Sequence, residues 1–307
     1  MDALRQSKVF AILVLVAVLI VIWYLAAIWL NAPVILDRLS REGVTPSFLD
    51  LVGYTWSYNR PILPAPHQVA IDLFNSTLTM APSNKRSLIY HAWITLSATL
   101  LGFVMGTVLG VVLAVFIVHN RAANRSLMPW IIASQTVPIL AVAPVIVVLF
   151  FNLLTGQNLI AQLLHLNADG AQLVSKGVIS MYLSFFPVVV GMVKGLRSPE
   201  LIQLDLMHTY SATPGQTFWK LRWPASMPYL FTSLKVAVAI SLVGAIVGEL
   251  PTGAVAGLGA RLLAGSYYGQ TVQIWAALFM AAAVAALLVI VVGVAHNLVL
   301  KRMGARA

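Results

Sequence analysis

Six long apolar stretches constrain this chain more than any other feature. A membrane-spanning helix needs about 20 mostly apolar residues, and the runs at 9–30, 92–118, 128–151, 177–194, 229–250 and 272–299 meet that test. They are continuous, whereas strands of a membrane barrel run about ten residues with alternating polarity. The expected fold is therefore all-α and polytopic, with six transmembrane helices. Composition agrees: 60% of residues are hydrophobic and 9% charged, where a soluble domain carries about 25% charged residues. The first run, from Val9 to Leu30, exceeds the roughly 7–15 apolar residues of a signal peptide and no small-x-small site follows it, so it is read as a retained helix.

Lys and Arg set the expected orientation, because they concentrate in cytoplasmic loops. With the N-terminus inside, Arg5, Lys8, Arg121, Arg125, Lys194, Arg197, Lys220, Arg222, Lys235, Lys301, Arg302 and Arg306 fall on the cytoplasmic side, most of the 19 basic residues. The short outer loops hold only Lys176 and Arg261. The expectation is N-in and C-in, in the cell inner membrane. The net charge of +10 reflects this bias; the basic residues are not clustered on a polar surface as nucleic-acid binding would require. Trp23, Trp29, Trp93, Trp130 and Trp275 lie near span ends, as interfacial belts do.

Candidate chemistry is sparse. There is no cysteine, hence no thiolate nucleophile or cysteine metal site. His91, His119 and His296 lie at helix ends far apart and are read as interfacial, not as metal ligands. No G-x-x-x-x-G-K-[ST] phosphate loop is present, so the chain is not expected to hydrolyse ATP or hold a cofactor. The span centres are almost free of ionisable residues, which disfavours an intramembrane enzyme. An ion-coupled secondary carrier or channel is the alternative class, and it would normally show midplane acids or paired broken helices.

The stretch between the fourth and fifth runs, from Lys194 to Pro228, is too apolar for a solvated linker. Leu201, Leu204 and Met207 recur at helical spacing after a start at Ser198-Pro199-Glu200. Pro214-Gly215 breaks the chain, and a second short helix over 215–222 is expected to end before Pro224. Two such helices either lie on the membrane or enter a groove on a soluble partner.

Here the chain resembles the inner-membrane permeases of binding-protein-dependent ABC importers, in the nitrate, sulfonate, taurine and pyrimidine-precursor class. Asp205-Leu206-Met207 stands where that family has its Glu-Ala-Ala core, and Ser211 where it has Gly. Phe218-Trp219-Lys220-Leu221-Arg222-Trp223-Pro224-Ala225 resembles the ending of the family loop, and Pro228-Tyr229 and Leu234-Lys235 continue the match. Other stretches agree in order: Leu63-Pro64-Ala65-Pro66; Thr95-Leu96 with Gly102-Phe103, Gly106 and Gly110; Gln135-Thr136-Val137-Pro138 with Ala143-Pro144; Phe185-Phe186-Pro187; Gly195-Leu196-Arg197; and Glu249 with Gly257-Leu258-Gly259. The likeness covers roughly residues 60–300. The chain departs from the pattern at Ser211, where φ > 0 is costly for a residue with a Cβ; either the turn differs or Pro214-Gly215 has taken over its role. The outer connections 152–176 and 249–257 also look longer than usual.

The resemblance implies a type I importer permease core. It divides the chain into an N-terminal transmembrane helix (1–31), a periplasmic loop with a short amphipathic helix (32–90), a core of five helices (91–300) with the coupling loop 195–228, and a cytoplasmic tail (301–307). It implies that Asp205, Leu206, Met207, Ser211, Ala212, Gly215, Phe218 and Pro224 couple to a cytoplasmic ABC ATPase dimer. A second permease copy or close paralogue, a periplasmic substrate-binding protein and membrane lipid are the other implied partners, with no nucleic acid. Tyr54, Trp56 and Tyr58 are candidates for binding-protein docking or for interfacial packing. Ser134, Gln135, Thr136, Pro138 and Glu249 are candidates for the translocation path, since proline frees backbone carbonyls that must line a cavity or be satisfied again. The implied substrate is a small organic anion or a pyrimidine- or flavin-type vitamin precursor.

Overall fold

The computed structural model describes residues 8–156, 161–162, 166–251 and 256–304. Arg5, Arg306 and parts of the two longer connections named above lie outside the described residues. All regular structure among the described residues is helical. In chain order the helices are α1 (Lys8–Arg41), α2 (Phe48–Ser57), α3 (Pro66–Phe74), α4 (Leu88–His119), α5 (Arg121–Ser134), α6 (Ile139–Thr155), α7 (Ala168–Leu196), α8 (Leu201–Thr209), α9 (Pro214–Glu249), α10 (Leu258–Tyr267) and α11 (Thr271–Arg302). Among the described residues five are long and apolar enough to cross a membrane, and α5 with α6 makes a sixth if that bent pair is one span.

The chain forms two compact units, Met1–Tyr90 with Arg261–Met280, and His91–Ala260 with Ala281–Ala307. In the first, α1 continues well past the apolar run. Asn31 does not end it, because its side chain is used: Nδ2 donates to the Leu63 carbonyl at 2.8 Å and Oδ1 accepts from Ile62 N–H at 2.8 Å. Trp23 donates to the Pro64 carbonyl and its ring lies against Trp275 and Phe279. Trp56 packs edge-on against Tyr24 and His67, whereas Tyr54 is exposed. Half-burial pushes the Asp72 carboxyl above its usual range, and the charge of Arg261 partly offsets this.

The second unit is built on α4, α7 and α9 at very close approach. Helix association in lipid relies on small residues that let backbones meet and on hydrogen bonds between helices. Gly102, Gly106 and Gly110 on α4 face Ser180, Ser184 and Val188 on α7, so close that a Cβ on any of the three glycines would overlap them. Gly191 and Gly195 on α7 face Ser233 and Ser226 on α9. The serines stitch the seam: Ser180 bonds to the Ser241 hydroxyl and carbonyl, and Ser241 donates to the Thr99 carbonyl at 2.8 Å. Toward α8 the contact turns apolar, around Ile117, Phe185, Val188, Met192, Leu196 and Leu230.

Two expectations from the sequence are corrected. The third apolar run is not one continuous helix: α5 and α6 meet at 103°. Pro138 lacks an N–H and disfavours helical geometry at Val137, so the ladder stops at Ser134. The short helix expected to end before Pro224 instead runs on into α9. A π turn over Phe218–Arg222 widens the helix just ahead of the proline, with Trp223 N–H returning to the Phe218 carbonyl, and Pro224 follows where this irregular turn hands over to regular helix.

Candidate functional site

Two places in the second unit gather the residues singled out by sequence. The first is the 195–228 loop. Gln203 accepts from Glu200 N–H to start α8. The helix ends in a Schellman motif: Ser211 N–H donates to the His208 carbonyl and Ala212 N–H to the Met207 carbonyl, both at 2.9 Å. Ser211 occupies the left-handed position itself, with φ 53°. Gly215 has no positive φ and has open space around it, so the turn has not moved there. A capping box then restarts the helix, Gln216 accepting from Thr213 N–H and Thr213 Oγ1 from Gln216 N–H.

This loop holds its apolar groups outward. Leu201 is 79% exposed, Leu206 54% and Tyr210 77%, with Asp205 exposed among them and Met207 half-buried. Its root is fixed inward. Phe218 meets His119 edge-on and packs with Trp223, Arg222 donates to the Leu196 carbonyl, and Arg197 to Asn124 Oδ1. Ala212, Phe218 and Pro224 are half-buried and Gly215 exposed. Large apolar groups thus stand exposed on a capped, rooted helix.

The second place is the elbow between α5 and α6. Ser134 and Gln135 are half-buried; Thr136, Val137 and Pro138 are exposed. Ser134 and Thr136 hydroxyls donate back to Ile131 and Ala133 carbonyls. The Ser134 carbonyl, freed by the break, accepts from the Tyr182 hydroxyl of α7. Sequence reasoning missed Tyr182, since nothing local marks it.

Glu249 lies in neither place. It is 0% exposed and accepts from the Thr95 hydroxyl at 2.9 and 3.1 Å and from Gly259 N–H at 2.7 Å. Thr95 Oγ1 also accepts from Leu258 N–H, and His91 Nδ1 from Gly257 N–H. Lys176, expected in an outer loop, is buried within α7 and interacts electrostatically with Glu249. That opposite charge offsets part of the cost of burying the lysine. The available signal was Glu249 at an apolar span end, followed by two glycines two residues apart. Among the described residues no group of three His, Cys, Asp or Glu side chains is placed to hold a metal.

A multi-span helical chain with a rooted, outward-facing loop fits the build of a membrane transport component. The chain belongs to the binding-protein-dependent transport system inner membrane components, whose family profile matches residues 106–305. It is thus the permease subunit of an ABC importer, integral to the inner membrane and not itself an enzyme. It is 32% identical over 250 residues to a riboflavin transport system permease protein of Chloroflexus aurantiacus, covering 81% of this chain and 84% of that one. It is 28% identical over 238 residues to a probable ABC transporter permease protein of Haemophilus influenzae, covering 78% and 86%. With a formylaminopyrimidine transport permease protein of Halalkalibacterium halodurans it shares 29% identity over 198 residues, 64% and 68% of the two chains.

Proposed function

We propose that two copies of this permease form a translocation path with both termini cytoplasmic, that loop 195–228 of each copy docks into a groove on a cytoplasmic ABC ATPase, and that a periplasmic binding protein delivers the substrate. The observation that carries this reading is the outward face of α8. Leu201, Leu206 and Tyr210 are exposed along with Asp205 on a helix capped at both ends, and a short helix that offers large apolar groups in this way suits a groove on a partner. Closure of the ATPase pair would move α8 and α9 as a body and alternate access to the path. Ser134, Gln135, Thr136 and Pro138 are proposed to line that path. The broken helix there exposes polar backbone, which is tolerated at membrane depth only where it lines a cavity or is buried in protein. The relatives named for riboflavin and formylaminopyrimidine, and another named for aliphatic sulfonates, support a substrate of that range: a pyrimidine- or flavin-type vitamin precursor, or a small organic anion.

The test is a triple change, Asp205→Arg, Leu206→Glu and Met207→Arg. Two of these side chains are exposed and one half-buried, so membrane insertion is expected to survive. Co-purification with the ATPase is expected to fall by a factor of about 30 or more, the scale of losing one buried hot spot. Undiminished ATPase binding and uptake in this variant would remove the docking reading.

A further inference from the structure

Helix α9 spans 36 residues, about 54 Å at 1.5 Å per residue. Its first turns belong to the coupling loop, and its π turn and all three of its prolines, Pro214, Pro224 and Pro228, lie at that end. Residues 229–249 contain neither. The last residue is Glu249, whose carboxylate takes hydrogen bonds from Thr95 and Gly259 while Thr95 and His91 take those of Leu258 and Gly257. Three successive backbone N–H groups are thus held by side chains. The fit leaves no slack: a Cβ at Gly257 would overlap the Glu249 carboxylate, and one at Gly259 would lie 2.9 Å from Glu249 Cβ. Leaving a buried acceptor without its donors is costly. The end of α9 cannot slide or rotate without carrying the 257–259 turn with it.

We propose that Glu249 is a positioning residue that locks the Gly257–Leu258–Gly259 turn to the far end of α9, so that a displacement of the coupling loop reaches this turn along a single helix. The proposal rests on the docking of loop 195–228 on an ATPase. It gives the enclosed carboxylate a mechanical role rather than a place on the translocation path. Thr95 shares the role, because its one hydroxyl both donates to Glu249 and accepts from the turn.

The chain contains no cysteine, so Ala256→Cys, at a half-buried position beside the turn, is a clean reporter. The full permease carrying it, bound to its ATPase in lipid nanodiscs, is labelled with a maleimide in the absence of nucleotide and with Mg-ATP plus vanadate. With Glu249 intact the labelling rate is expected to change about fivefold or more, the lower range of coupling between distant sites. Glu249→Ala is expected to abolish the change while the ATPase stays bound. Glu249→Gln, whose amide oxygen still accepts from Gly259 N–H, is expected to retain part of it. Should Glu249→Ala fail to assemble, Thr95→Val, which removes only the hydroxyl, is expected to shrink the response. A parent-like response in Glu249→Ala or Thr95→Val overturns the proposal, as does a parent that binds ATPase but shows no response to nucleotide. A parent that binds no ATPase overturns the docking reading instead, and this inference falls with it.

Discussion

Gly244→Leu is expected to leave little folded permease in the membrane. A Cβ at this position would sit 2.8 Å from Ser180 Cα and 3.2 Å from both Ser180 N and the Ile179 carbonyl oxygen. All three are backbone atoms, so no flexible side chain can swing aside. Alanine improves helix propensity over glycine by about 1 kcal/mol, but overpacking a tight interior costs about 1–3 kcal/mol, and the cost grows with leucine. Forcing α7 from α9 also breaks the Ser180–Ser241 hydrogen bonds. Gly244→Ala should therefore destabilise mildly and Gly244→Leu severely. Gly53→Ala, with nothing within 4 Å of the added carbon, should be harmless. Thermal unfolding of the detergent-purified protein checks the order, and a Gly244→Leu variant that melts with the parent would refute the packing argument.

Ser211→Val should loosen the turn that ends α8, while Ser211→Gly tightens it. The left-handed conformation costs a residue with a Cβ about 1–2 kcal/mol, and the serine at φ 53° already bears that cost. A β-branched side chain fits this region worse still. Glycine removes the penalty but loses more backbone entropy on folding, about 0.5–1 kcal/mol, so the two nearly balance and a small net gain is expected. For valine, amide hydrogen exchange at positions 211 and 212, whose N–H groups close the turn, is expected to quicken about tenfold, the factor for roughly 1.4 kcal/mol. Parent-like protection in Ser211→Val would mean that the turn is not strained at this residue.

How much of this was readable in advance depends on how local the cause is. The helical class and most of the spans follow from apolar length alone, and helix formation through the loop follows from Leu201, Leu204 and Met207. The bend at Pro138 was half visible: the proline announced freed carbonyls, but a long apolar run still read as one straight span. At Pro224 the same residue type misled in the other direction, because a widened turn upstream lets the helix pass a residue that usually ends one. The turn at Ser211 was posed as a choice between two sites, and backbone geometry decides it for Ser211. Lys176 and Glu249, 73 positions apart, and Thr95 and Glu249, 154 apart, meet only through tertiary packing. No periodicity encodes such a meeting, although the glycines at 257 and 259 are its trace in the sequence.

The elbow between α5 and α6 restricts what can lie against it. Hydrocarbon offers no donors or acceptors to an interrupted helix. The Tyr182 hydroxyl satisfies the Ser134 carbonyl from within, yet Thr136, Val137 and Pro138 remain open to the surroundings. At membrane depth such a flank is tolerated only where it borders water or protein.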